Sequence, residues 1–74
     1  MKKQIFPIII CREGKWVVVY CPILDIATQG KTEKEAIENI RELIVEYLKD
    51  PDTPKPYFDK LSFPSLSYVE VPLK

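Results

Sequence analysis

Few residues in this chain could do chemistry. The 74-residue sequence has no histidine and two cysteines, Cys11 and Cys21. Histidine is the commonest general base and metal ligand, and two cysteines alone do not fill a tetrahedral zinc site. Three acidic residues, Asp25, Glu33 and Glu35, could instead converge on divalent metal ions. Carboxylates that hold two metal ions are a common arrangement for hydrolysis.

A structural role already accounts for one member of this acidic trio. Glu35 follows Thr32 by three residues, which is the capping-box pattern of a helix start. In addition, the first apolar run, residues 5–11, carries no acid that could complete a metal site. We therefore predict that the chain is not an enzyme, and we predict no catalytic residue, metal site or cofactor.

The capping box opens the clearest element in the sequence, a helix that begins after Thr32 and ends near Lys49. Asp50 precedes Pro51, and a proline restricts the preceding residue and cannot donate the next helical hydrogen bond. Between these limits apolar residues recur at spacings of three and four, so they share one face and require a cover. That apolar face consists of Ala36, Ile37, Ile40, Leu43, Ile44, Tyr47 and Leu48.

Two runs rich in β-branched residues precede the helix, and they predict a β-hairpin over residues 3–11 and 16–21. If Glu13 and Gly14 are the central pair of the loop, the numbers of two residues that face each other across the hairpin add up to 27. Ile10, for example, then faces Val17. Both faces of the hairpin are then apolar, whereas a half-exposed antiparallel sheet has one polar face. One helix covers one face, so the other must meet the loop at residues 57–66 or a second subunit. We predict the second subunit, and so a homodimer or higher oligomer. The residues assigned to this oligomer interface are Ile9, Trp16, Val18 and Tyr20.

The same register also predicts two free thiols. It places Cys11 and Cys21 five positions apart along the ladder, a separation of roughly 17 Å. A disulfide needs Cα atoms within ~7 Å of each other.

The remaining segments complete an α+β fold with the element order β-β-β-α-β. Residues 22–25 predict a turn, residues 26–29 a third strand and residues 67–71 a C-terminal strand. A proline-rich connector follows the helix, and residues 57–66 are predicted to form a packed loop. We predict a single domain over residues 1–74 with no DNA-binding module.

The charge balance argues against nucleic acid and membrane as partners. Eleven basic and eleven acidic residues cancel, and no apolar run approaches the ~18 residues of a membrane span. The isoelectric point of about 6.2 contrasts with values above about 9 for nucleic-acid-binding domains. We therefore expect a cytoplasmic protein without direct DNA binding.

Several of these residues together resemble the HicB-like antitoxin family, including its short stand-alone members. The run TQGKT-x-x-EA-x-EN at residues 28–39 is the most specific part of the resemblance, which covers residues 5–48. The sequence departs from the family at Asp25-Ile26, where many members carry Pro-Gly. The other matching residues are Phe6-Pro7, Gly14, Trp16, Tyr20-Cys21-Pro22, Leu24, Ile40 and Tyr47-Leu48.

The resemblance implies a fold similar to a degenerate ribonuclease H core and a role as an antitoxin. Family members form dimers or higher oligomers and neutralise a small HicA-type toxin that cleaves messenger RNA. Longer members add a DNA-binding module after this domain. The alternative function is a structural or regulatory oligomeric domain without a toxin partner.

An acidic row on the helix is the candidate toxin-binding site. Glu38, Glu42 and Glu46 repeat every four residues and line one exposed edge, where like charges are mildly unfavourable. A basic RNA-binding toxin would present complementary charge to this row. The alternative is an ordinary solvated helix face, partly neutralised by Lys34 and Arg41.

Overall fold

The computed structural model describes residues 3–55 and 65–73 of the chain. Within them, a three-stranded antiparallel sheet in the order β1-β2-β3 is followed by one helix, so the predicted α+β class is confirmed. The predicted packed loop falls almost entirely on residues 56–64, outside the described part. The elements are β1 (Ile9–Glu13), β2 (Trp16–Cys21), β3 (Ile26–Gly30) and α1 (Glu33–Lys49).

In the hairpin formed by β1 and β2, each residue faces a partner two positions away from the predicted one. Glu13 faces Trp16, so the central residues of the loop are Gly14 and Lys15, and the predicted centre at Glu13 and Gly14 is wrong. The φ angle is +62° at Gly14 and is not positive at Lys15, which is the pattern of a type II′ turn. Glycine adopts this conformation without steric cost, and it therefore occupies the first central position. A slip of two residues keeps every side chain on its predicted face.

Both cysteines are free thiols, as predicted, although their spacing differs from the prediction. Cys11 is exposed and faces Val18, whereas Cys21 is buried three positions farther along β2. Three positions correspond to roughly 10 Å, still beyond the ~7 Å limit for a disulfide. Because side chains alternate along a strand and three is an odd number, the side chains of Cys11 and Cys21 lie on opposite faces of the sheet.

Hydrogen bonds at both ends fix the limits of α1. The Thr32 hydroxyl accepts a hydrogen bond from the Glu35 N–H at 3.1 Å, and the Glu35 carboxylate accepts one from the Lys31 N–H at 3.1 Å. The carboxylate thus reaches one residue before the cap. At the other end, the Asp50 N–H donates to the carbonyls of Glu46 and Tyr47. The helix therefore begins and ends where the sequence predicts.

The core lies between α1 and the part of the sheet formed by β2 and β3. The Asn39 side-chain amide donates to the Gln29 carbonyl at 2.8 Å and ties the helix to β3. On the helix-facing side, Val19 of β2 is 0% exposed, but its partner Ile10 on β1 is 38% exposed. The helix therefore leaves β1 largely uncovered. The buried core residues are Val17, Val19, Cys21, Leu24, Ala36, Ile40 and Ile44.

Gly30 is the point of closest approach between the sheet and the helix. It is the last residue of β3, faces Val17 in the ladder and is buried. A Cβ atom at this position would lie 2.6 Å from the backbone nitrogen of Ala36. A side chain there would collide with backbone, so the helix can dock here only because residue 30 is glycine.

The C-terminal segment differs from the prediction. Residues 67–71 form no strand, and every residue from 65 to 73 is exposed. A strand needs a neighbouring strand to accept and donate its ladder hydrogen bonds, and none of the described strands pairs with this segment.

We expect Gly30→Ala to destabilise the protein more than Gly14→Ala. The first substitution forces backbone apart and should lower the free energy of unfolding by about 3 kcal/mol. The second meets no atom within 4 Å and carries only the left-handed backbone cost, about 1 kcal/mol. Urea denaturation of both variants checks this order, and equal losses would contradict the close approach of α1 to Gly30.

Candidate functional site

Two of the three acidic residues considered for metal chemistry take part in local structure. Glu35 caps α1 through the Lys31 N–H, and Asp25 accepts a hydrogen bond from the Tyr20 hydroxyl at 2.9 Å. Glu33 lies exposed in the first turn of the helix. Across residues 3–55 and 65–73, no three acidic or thiol side chains are grouped closely enough to hold a metal ion.

Tyr20 and Asp25 form a polar pair that the sequence did not indicate. Asp25 closes the loop between β2 and β3 with a φ of +55°, a left-handed conformation that aspartate tolerates better than most residues. The pKa of Tyr20 is raised, first by its hydrogen bond to Asp25, then by desolvation and by the negative charge of that carboxylate. The pair therefore links the end of β2 to the start of β3.

The acidic row on α1 is exposed, as the helical pattern predicts. Glu38, Glu42 and Glu46 all lie on the solvent side of the helix. Arg41 contacts Glu38 at 2.7 Å between side-chain nitrogen and carboxylate oxygen. An exposed pair of this kind contributes about 0.5 kcal/mol or less, so its main effect is to neutralise one charge of the row locally.

The four residues assigned to an oligomer interface share the sheet face that points away from α1. Ile9 faces Tyr20 directly across the hairpin, and Val18 lies between Trp16 and Tyr20 on the same face. Trp16 is 40% exposed, and the other three are partly buried. We call these four residues the outer face. It combines aromatic and aliphatic groups, which are enriched at protein interfaces.

A groove of about 480 Å³ lies beside the helix, and the sequence did not indicate it. It runs between the residues that lead into β1 and the flank of α1 nearest to them. Val45 lies on the rim of the groove, and 44% of its surface is exposed. The sequence offered one weak signal, since Val45 falls outside the predicted apolar face and has no polar role. The apolar lining includes Phe6, Ile8, Ile37, Ile44, Val45 and Leu48.

A polar cluster fixes the chain where it leaves α1. The Thr53 hydroxyl donates to the Tyr47 carbonyl at 2.8 Å, and the Tyr47 hydroxyl donates to the Pro54 carbonyl at 3.0 Å. The Lys55 ammonium donates to the Asp50 carbonyl and lies 5.7 Å from the centre of the Tyr47 ring. A cation at this place also complements the negative end of the helix dipole. Residues 50–55 are therefore held against the end of the helix.

No helix in the described ranges is long and apolar enough to cross a membrane. No protein-family model, curated protein or solved structure matches the chain.

We expect Asp25→Asn to lower the pKa of Tyr20 toward its ordinary value of 10.0. The substitution removes the carboxylate charge, keeps a carbonyl oxygen and remains compatible with the left-handed backbone. Because the folded state holds the phenol proton more tightly, this pair stabilises the fold fully below pH 10, and the contribution is lost as pH rises through the folded pKa.

Ultraviolet titration measures this pKa. Subtracting the titration curve of Tyr20→Phe isolates the Tyr20 signal from the other three tyrosines. The same subtraction between Asp25→Asn and the double variant Tyr20→Phe/Asp25→Asn gives the pKa of Tyr20 without the carboxylate. An unchanged Tyr20 pKa in that background would show that the hydrogen bond to Asp25 is absent in solution.

Proposed function

We propose that this chain is a HicB-like antitoxin module that binds and neutralises a small HicA-type toxin that cleaves messenger RNA. The sequence resemblance over residues 5–48 names this partner class. The observation that carries an interaction role is the amount of apolar side chain left at the surface of a small domain. Apolar side chains are exposed at three places: the outer face, the groove beside α1 and the C-terminal segment.

The finer features of the resemblance belong to the same proposal. In the complete assembly residues 67–71 form the fourth strand, which yields the β-β-β-α-β order and the ribonuclease H-like core. The outer face supports a homodimer, because its aromatic residues would be buried there. An antitoxin that meets a messenger RNA nuclease acts in the cytoplasm, and this role needs no direct contact with DNA.

The acidic row on α1 suits the charge of such a partner. A toxin that binds RNA must carry basic groups on its RNA-binding surface. Three carboxylates along one exposed helix edge would attract those groups and compete with RNA for them. Long-range attraction mainly raises the association rate, whereas apolar contacts nearby slow dissociation.

The second candidate function is a structural or regulatory oligomeric domain without a toxin partner. The exposed apolar surfaces favour it equally, because they could all be buried between copies of the chain. The two functions differ in whether a second protein is required. The neighbouring reading frame discriminates them: a small basic protein encoded there supports the antitoxin.

Co-purification is the direct test of the proposed function. The tagged chain, co-expressed with the small basic protein from the neighbouring frame, should retain that protein through size-exclusion chromatography and block its cleavage of messenger RNA. A homo-oligomer that neither retains nor inhibits the neighbouring protein would favour the second function.

We expect reversal of the acidic row to slow association with such a toxin. Glu38→Lys, Glu42→Lys and Glu46→Lys combined should lower the association rate constant at low salt by about tenfold or more, since electrostatic steering contributes factors of this size. Stopped-flow fluorescence measures the rate.

The matched control reverses three exposed acids that lie outside α1, namely Glu13, Asp52 and Glu70, and changes the net charge by the same amount. A row that contacts the toxin slows association more than this control does. If both variants associate equally slowly, only the net charge matters. If the variant of the acidic row associates as fast as the wild type, the row is not part of the binding surface.

A further inference from the structure

The C-terminal segment, residues 65–73, has the residue pattern of a strand but pairs with none of the described strands. Alternate residues Val69, Val71 and Leu73 would share one side of an extended chain, and they are 85%, 67% and 92% exposed. The opposite side carries Tyr68, Glu70 and Pro72. A proline is tolerated in an added edge strand where its missing N–H would point away from the neighbouring strand. Three large aliphatic side chains in a row form an exposed apolar surface of the kind that marks an interaction site.

The dimensions of the protein are those of a chain with a projecting segment. A compact chain of this length has a radius of gyration of about 11 Å. The radius of gyration of this structure is 14.4 Å, and the longest axis is 46 Å against 28 and 23 Å for the other two. The C-terminal segment is therefore not folded back onto the small core that the sheet and α1 form.

The groove beside α1 is where a fourth strand would complete the fold. β1 is an edge strand of the sheet that the described residues form, and an edge strand offers free N–H and C=O groups to another strand. On the helix side of this edge, Ile10 and Val45 remain partly exposed. A strand added along the free edge of β1 would turn alternate side chains to the helix side of the sheet, next to Ile10 and toward the flank of α1 that carries Val45.

The segment and the groove match in length as well as in polarity. Alternate side chains on a strand are about 6.8 Å apart, so Val69, Val71 and Leu73 span about 14 Å. The helical wall of the groove runs from Ile37 to Leu48, which is about 16 Å at 1.5 Å per residue. Three consecutive inward side chains therefore cover most of the groove.

The connector favours a second copy over the same chain as the source of this strand. Hydrogen bonds from Thr53 and Lys55 hold residues 50–55 against the end of α1. Within these residues Pro51 and Pro54 restrict the backbone, and connectors with closely spaced prolines are stiff. A stiff hinge favours exchange of a terminal element between copies, and oligomerisation is a usual way to stabilise a domain this small.

We propose that the C-terminal segment of each chain lies as a fourth strand along β1 of a second copy and fills the groove beside its α1. The result is a reciprocal, strand-exchanged dimer. Each chain then gains the strand that it does not form with itself, and the outer face stays available. This proposal does not depend on the antitoxin function.

A cysteine pair tests the exchange directly. Two single variants, Val45→Cys and Val71→Cys, are made in a Cys11→Ser background, which removes the exposed native thiol and keeps the buried Cys21. The two are unfolded together, refolded and oxidised. We expect a disulfide-linked species of twice 8.6 kDa that contains one chain of each variant.

The matched control replaces Val45→Cys with Glu46→Cys. Glu46 is exposed, lies about 100° around α1 from Val45 on the side away from the groove, and should give no link. The double variant V45C/V71C, oxidised at high dilution, distinguishes the source of the strand. Links between chains support the exchange. A link within one chain of 8.6 kDa would overturn it, because the segment would then occupy its own groove.

Sedimentation provides a second measurement that does not rely on a disulfide. The measurement uses a Trp16→Asp background, which removes association through the outer face. In that background Val71→Asp places a charge on the inward side of the strand and should shift the protein from dimer to monomer, with a loss of at least tenfold in dimer affinity. Tyr68→Asp, on the outward side, should leave the dimer intact. A dimer that survives Val71→Asp, or a wild type that is monomeric at micromolar concentration, would overturn the proposal.

Discussion

The first turn of α1 lies against the backbone of Gly30, and this contact decides where the helix can lie. With no side chain at position 30, the Ala36 nitrogen approaches the end of β3, and the bond from Asn39 to Gln29 holds the next turn in the same place. A helix is about 10 Å across and strands are about 4.8 Å apart, so one helix covers about two strands. Anchored at β3, α1 covers β3 and β2 and leaves β1 outside.

The uncovered strand explains the distribution of apolar surface in the molecule. The helix flank and the residues that lead into β1 enclose a groove with Val45 partly exposed on its rim, and Ile10 on β1 is also partly exposed. The outer face lies on the other side of the same sheet. The exposed C-terminal segment has the alternation needed to cover one of these surfaces. In a domain this small, burial between chains is the available way to remove such surface from water.

The candidate site was only partly predictable from sequence, for reasons visible in single residues. Glu38, Glu42 and Glu46 are exposed as predicted, because helical periodicity alone sets their side of the helix. The outer face was also found, since alternation along a strand survives a register slip of two residues. The groove was missed because it depends on the lateral position of α1. Tyr20 and Asp25 were missed as a pair because the conformation of the intervening loop brings them together.

By itself, the sequence determined the features that depend on neighbours in the chain. The limits of α1 follow from Thr32, Glu35 and Pro51. The existence and order of the three strands follow from runs of β-branched residues, although β1 begins at Ile9 and not at residue 3 as predicted. Tertiary structure decided the rest. Strand pairing in the hairpin lies two residues from the predicted register, and residues 67–71 pair with none of the described strands, so no fourth strand forms among the described residues. Capping and periodicity act over a few residues, whereas helix placement and strand pairing depend on distances between segments far apart in sequence.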